Sequence, residues 1–475
     1  MTRRDWQRRS ASETIARLDA ARRRRRPDRR GIRVGSTSRR APPAPASKPA
    51  DDPAPQPQSA PPPQPQSAPP AAAETLDAIA ARKLRALDGR RLRRHLIVTE
   101  RRGAAAARRN GRDLISFSCN DYLGLAHHPA VVEAAIEATR RYGAGAGASR
   151  LVTGNHPLYE ELERRLADLK GAEAAVVFGS GYLANTGTIA ALVGAQDLIL
   201  TDELSHSCIA AGAALSRARV LAFRHNDAEA AGGLLERYRG EHRHCLIVTE
   251  GVFSMDGDLA PLPELARLAA RHAAWLMTDD AHALGVVGGG RGSKHAHGET
   301  IDVPLQMGTL SKAVGAYGGY VCASTKVAEW LRNRARTLVY STGLPPGVVA
   351  AASAALRLID ARPELATEPV RRAALFVDTL VDRLRPMTPE RSGAALPRSV
   401  RSAIVPLVVG SAERALTLAE ALERRGFLVV AIRPPTVPSG TARLRFAFSA
   451  EHDEDDVLRL AEAVAQCLTS RGAVG

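Results

Sequence analysis

The sequence predicts an α/β protein: a large domain with a mostly parallel sheet sandwiched by helices, plus a smaller C-terminal α/β domain. Three observations carry this. From about residue 76, short apolar runs alternate with helical patterns. Parallel strands need crossover helices and are buried on both faces, so they read as continuous apolar runs rather than as alternating ones. Polar, chemically capable residues follow several of those runs, at the carboxyl ends where open α/β sheets bind ligands. Past residue 352 the pattern changes to three longer apolar segments flanking two helices.

Composition bounds the rest. The 475 residues suffice for two or three domains and a large core. Hydrophobic content is 45%, ordinary for a globular chain. No apolar run approaches the roughly 18 residues of a membrane span. Five scattered cysteines without CxxC spacing argue against a disulfide framework or a metal site, and for a reducing, cytoplasmic setting. The net charge of +16 raises the question of nucleic acid, but residues 1–75 hold 16 basic and 7 acidic residues, or +9 of it. Nucleic acid is therefore not the expected partner of the folded part.

Residues 1–75 read as a disordered extension, arginine-rich and then Pro/Ala/Gln-rich, because such a segment cannot bury enough apolar surface to offset ordering entropy. Residues 76–118 read as an N-terminal arm with helical character. Residues 119–352 form the large domain, with strands expected at AAVVF (174–178), DLILT (197–201), RVLAF (219–223), CLIVTE (245–250) and AWLMTDD (274–280). LYEELERRLADLK (158–170) and LPELARLAARHA (262–273) are among the helices between them. Residues 353–475 form the small domain, with strands at AIVPLVVG (403–410), FLVVAIRPP (427–435) and ARLRFAFS (442–449), and helices at ERALTLAEALERRG (413–426) and EDDVLRLAEAVAQCL (454–468).

The strand ends carry the chemistry. GSGYLAN (179–185) opens a helix after a strand, where free N–H groups and the helix dipole favour phosphate at Gly181 and Tyr182. The same stretch is a G-x-G-x-x-A pattern with Asp202 about 20 residues on, so a nicotinamide-dependent oxidoreductase is an open alternative, although about 60 residues of the large domain precede it. TDDAH (278–282) supplies Asp279 and His282, or else a helix cap and a surface histidine. SHSC (205–208) supplies His206, and TEGVFSMDGD (249–258) supplies Ser254. GTLSKAVGAYGG (308–319) places Lys312 among small residues, in a chain with six lysines against sixty arginines. Burial there lowers an amine's pKa and makes it nucleophilic; the plain alternative is a surface lysine on a Gly-rich turn. A phosphate cradle, a carboxylate, two histidines and a desolvated lysine together suit pyridoxal phosphate.

These motifs, with SFSCNDYLGLAHHP (116–129), GAGASRLVTGNHPLYEELE (145–163), YSTGLPP (340–346) and AIRPPTVPSGTARLRFAFSAEH (431–452), resemble the α-oxoamine synthases, which are fold-type I pyridoxal-phosphate enzymes. The resemblance spans about residues 76–475. It implies that Lys312 is the Schiff-base lysine, Asp279 the pyridinium partner and His206 the stacking histidine. It implies further that Ser254 and His282 lie near the cofactor's phenolic oxygen, and that Gly181, Tyr182, Thr309 and Ser311 surround the cofactor and its phosphate. Thr342 matches a residue that reaches the phosphate from the neighbouring subunit, so a homodimer with shared active sites is implied. Asn120, Arg433 and Arg445 match positions that handle substrate carboxylates, and Arg94 matches more loosely.

FSMDGDLAPL and AIRPPTVPSGTARLR are most similar to the member that condenses L-alanine with a pimeloyl thioester, on coenzyme A or acyl carrier protein, in biotin synthesis. Three sister reactions remain open: glycine with an acetyl or a succinyl thioester, and serine with a long acyl chain. The resemblance does not explain residues 1–75.

Overall fold

The computed structural model describes residues 74–385 and 393–469; all but the last two residues of the 1–75 extension lie outside them. The described residues begin at a helix cap. The Thr75 hydroxyl accepts from the Ala78 amide (3.2 Å) and starts helix Leu76–Gly89. The expected helical arm is helical only that far. Its second half pairs as β1 (Thr99–Arg101), β2 (Ala106–Arg109) and β3 (Arg112–Ser116).

The centre is a seven-stranded sheet of β4 (Ala174–Phe178), β5 (Leu198–Asp202), β6 (Arg219–Phe223), β7 (Cys245–Glu250), β8 (Trp275–Asp279), β9 (Leu305–Thr309) and β10 (Gly319–Ala323). Its order is β4-β10-β9-β8-β7-β5-β6. Only β10 runs antiparallel to its neighbours, so the expected mostly parallel sheet is present. Every residue of β7, β9 and β10 is buried, as a sheet covered on both faces requires. Along β4, Val176 and Phe178 face one layer, while Ala175 and Val177 face the other. The first layer contains helices Gly181–Leu192, Ser207–Ser216 and Thr325–Arg334. On the other face, Leu158–Lys170 and Pro346–Ala361 cover one half, and Ala228–Tyr238 and Leu262–Arg271 the other.

The C-terminal lobe contains β11 (Ile404–Gly410), β12 (Phe427–Leu428), β13 (Val430–Ile432) and β14 (Ala442–Ala447). The single strand expected at 427–435 splits there: β12 joins the sheet β1-β2-β3-β12, and β13 joins the sheet β11-β14-β13. Phe117, just after β3, sits in the core of this lobe, so its core draws on both ends of the chain. The boundary expected at residue 353 falls inside helix Pro346–Ala361, whose buried face packs with the large sheet; the C-terminal core begins its next helical contribution at Ala373.

Candidate active site

The carboxyl ends of β4, β5, β7, β8 and β9 meet around a cavity of about 180 Å³. Gly181, Tyr182, His206, Asp279, His282, Thr309, Ser311 and Lys312 all line it, and Glu250 lines it too. Five sequence-separated turns thus deliver to one place most of the side chains that the motifs singled out.

Gly181 opens helix Gly181–Leu192. The Ser180 hydroxyl caps that helix by accepting from the Leu183 amide (3.2 Å). The first-turn amides of Gly181 and Tyr182 have no intrahelical acceptor, which suits an anion. The Tyr182 ring is half exposed. Directly beside Gly181, where an added Cβ would come within 3.3 Å of the Thr309 Cβ, Thr309 ends β9; its hydroxyl donates to Gly318 O and meets the Ser311 hydroxyl, both at 2.8 Å.

Asp279 ends β8 and is buried. Its carboxylate accepts from Asn185 Nδ2 (2.7 Å) and from the Ala281 amide (2.9 Å). Asn185 lies one turn into helix Gly181–Leu192, so it ties that helix to the end of β8. Lys312 sits in the loop between β9 and β10. Burial lowers its pKa, against the opposing pull of Asp279 and Glu250.

His206 is the N-cap of helix Ser207–Ser216. Its Nδ1 accepts from the Cys208 amide (3.2 Å), which leaves the ring proton on Nε2. Burial lowers its pKa. His282 is buried, and its Nδ1 meets the Tyr122 hydroxyl at 2.7 Å. Burial, then the charges of Lys312 and Arg445, hold His282 well below its ordinary pKa, so it is a neutral ring.

Ser254 is buried behind the cavity wall rather than in it. Its amide donates to Glu250 Oε2 (3.0 Å), and the His206 amide donates to Glu250 Oε1 (2.8 Å). Glu250 therefore ties together the two loops that carry His206 and Ser254. Burial, followed by the Asp279 charge, pushes its carboxyl up to about 8. Arg445, on β14, is buried and donates to Ser254 O (2.6 Å), Asn120 Oδ1 (3.1 Å) and the Tyr122 hydroxyl (3.3 Å). It brings the C-terminal lobe and Asn120 against the site.

Three expected residues stand apart within one chain. Thr342 is exposed, bridged to Ser149, and outside the cavity. Arg94 donates to the Thr436 hydroxyl (2.9 Å), and Arg433 donates to the Arg91 carbonyl; both line a separate groove beside β13. Glu250, Asn185 and Tyr122 were not singled out from the sequence, although each lies inside a quoted motif. Asp202, which a dinucleotide site would turn to a ribose, is buried and bonded to His225, Leu204 and Asn226. That removes the support for the nicotinamide reading.

The comparisons agree with the site. The family described as aminotransferase class I and II matches residues 112–464. An 8-amino-7-oxononanoate synthase of Methylocella silvestris is 58% identical over 356 residues, covering 75% of this chain and 97% of that one. A high-resolution structure of SPT with PLP internal aldimine superposes with a TM-score of 0.75 at 31% identity, covering 84% of this chain and 98% of that one. The crystal structure of 8-amino-7-oxononanoate synthase from Francisella tularensis gives a TM-score of 0.62 at 25% identity, covering 74% of this chain and 97% of its own. With the family match extending through the sheet, the cavity and most of the C-terminal lobe, this chain belongs to the class I and II aminotransferase family.

Proposed function

We propose that this chain is a pyridoxal-phosphate enzyme that condenses L-alanine with a pimeloyl thioester, on coenzyme A or acyl carrier protein. The products are 8-amino-7-oxononanoate, carbon dioxide and the free thiol. The observation that carries the reading is a single cavity with a partly buried amine, a buried carboxylate and a helix N-terminus around it, in a chain whose 58%-identical relative is named for that product.

The residues present fit the cofactor. Phosphate suits the Gly181 and Tyr182 amides with the Thr309 and Ser311 hydroxyls. Asp279 suits a protonated ring nitrogen, because an opposite charge at contact distance favours both charged forms. The buried Oδ1 of Asn185, on the amide that donates to the Asp279 carboxylate, has no protein partner. When bound, pyridoxal phosphate supplies an electron sink for charge that develops at the amino-acid Cα.

The chain's own groups do the rest. Asn185 and the Ala281 amide hold both Asp279 oxygens, so the carboxylate keeps one orientation. The lowered pKa of Lys312 raises the share of free amine that can take the Cα proton and return it later. His206, fixed as a helix cap, presents its ring to the cavity. Arg445 uses three of the five N–H donors of a guanidinium on protein acceptors, and its remaining donors suit the substrate carboxylate. Holding that carboxylate orients the Cα–H bond. Arg94 and Arg433 suit an anionic group farther out, in their own groove. Thr342 lies exposed, in keeping with a homodimer in which it serves the partner's phosphate site. Among the described residues no helix is long and apolar enough to cross a membrane. We place the enzyme in the cytoplasm.

A panel of amino acids and acyl thioesters, read by thiol release, tests this directly. Alanine with pimeloyl-CoA or the pimeloyl carrier protein should be fastest. Preference for serine with palmitoyl-CoA, or for glycine with a short thioester, would overturn the assignment.

A further inference from the structure

We propose that His225 is a positioning residue that clamps the loop carrying His206 to the turn carrying Ser254. The proposal depends on the functional reading only in assigning cofactor contact to His206, which lines the cavity, with the Ser254 turn supporting the wall behind it. His225 follows β6, and both of its ring nitrogens meet carboxylates: Nδ1 lies 3.0 Å from Asp202 Oδ1, and Nε2 lies 2.9 Å from Asp258 Oδ2. A neutral imidazole has one N–H and one lone pair, so it would aim that lone pair at a carboxylate. The doubly protonated ring satisfies both. Burial opposes this charge, but the bonds to Asp202 and then Asp258 push the ring up to about 10.

Each carboxylate anchors one functional loop. Asp202 ends β5, is buried, and also accepts from the amides of Leu204 (2.8 Å) and Asn226 (2.7 Å). Leu204 lies in the short turn that delivers His206. Asp258 closes the other turn: the Phe253 amide donates to its carbonyl (3.0 Å), and Asn226 Nδ2 donates to its carboxylate (2.8 Å). The Phe253 ring meets His225 edge-on, with centroids 4.4 Å apart, and Ser254 is the next residue. Asn226 adopts a left-handed φ of 55°, which lets its amide and side chain serve the two carboxylates from one position. Further charged neighbours are Glu203, whose Oε1 accepts from the His225 amide (3.1 Å), and the adjoining Arg224, which pairs with Asp227. The loops are thus joined twice, once through Glu250 at the cavity and once through His225.

The test uses the full chain. Amide hydrogen exchange of the cofactor-free protein is read in the segments holding His206 and Ser254, for wild type, His225→Gln and Asp258→Asn. Pyridoxal-phosphate dissociation constants and the separate kcat and KM values for alanine are measured on the same proteins. His225→Gln should speed exchange in both segments and weaken cofactor binding by about tenfold, and lower kcat by about tenfold to a hundredfold with a smaller change in KM. Asp258→Asn, which leaves the buried Asp202 paired, should shift the same quantities less, and the double variant should be no worse than His225→Gln. A lower Tm with wild-type exchange in these two segments and unchanged cofactor affinity would overturn the clamp. If His225→Gln does not fold, Asp258→Asn decides by the same criteria. A wild type that binds the cofactor but prefers other substrates would sink the substrate reading and leave the exchange result standing.

Discussion

At the scale of single residues, the site depends on how buried charges are held. Glu250 is raised to about 8 from an ordinary value of 4.5, chiefly by burial. The folded, cofactor-free protein therefore keeps a proton that the unfolded chain has lost, so stability should fall as pH rises from 4.5 through about 8. Glu250→Gln should flatten that part of a Tm-against-pH profile, and an unchanged slope would contradict the reading. His225 adds a loss of the same sign in a higher window, from 6.5 to about 10, which His225→Gln removes. Asn185 donates to the Asp279 carboxylate at 2.7 Å. A hydrogen bond to a charged group contributes about 1.5–3 kcal/mol, so Asn185→Ala should weaken cofactor affinity roughly tenfold to a hundredfold. A titration of the apoprotein checks this. Lys312, Asp279 and His206 were legible because each follows an apolar run inside a small-residue motif. Glu250 and Asn185 were not, although both sit in quoted motifs. Nothing local separates a strand-end glutamate facing the cavity from one facing solvent, and Asn185 matters through a partner 94 residues away.

At the scale of elements, the end of β8 is fixed from behind. Lys170, at the end of helix Leu158–Lys170, and Asp280 are both wholly buried and form an ion pair. Lys170 also donates to Arg291 O (2.6 Å), while the Ser293 amide and hydroxyl donate to Asp280. This pair sits one residue from Asp279, so it sets where the β8 turn begins. Removing one partner strands a buried charge, and Lys170→Met should cost about 3–5 kcal/mol in denaturant unfolding. Lys170→Met with Asp280→Leu should recover much of the loss, because no lone charge remains. A double variant as unstable as the single one would contradict this. The strands β4 to β8 were legible as apolar runs. The antiparallel β10 was not, since its direction depends on pairing with β4 and β9 rather than on its own residues.

At the scale of the whole molecule, the C-terminal lobe is closed by the N-terminal strands. Phe117 is fully buried; its ring stacks on His452 (centroids 4.0 Å apart) and meets Phe448 edge-on (5.6 Å). Phe117→Ala should cost about 3–5 kcal/mol, read as a lower Tm. The contact joins residues more than 300 apart, which is why the sequence pattern showed an arm at 76–118 and not strands pairing with β12. The role proposed for Thr342 requires two subunits, so sedimentation should give twice the 50.6 kDa chain mass, and an active monomer would contradict that role. The central claim is that the Lys312 amine holds the cofactor at the mouth of the sheet. The most direct measurement is borohydride reduction of the cofactor-loaded protein followed by peptide mapping. The account predicts the reduced cofactor's mass on the peptide containing Lys312; its attachment to another residue, or no attachment, would contradict it.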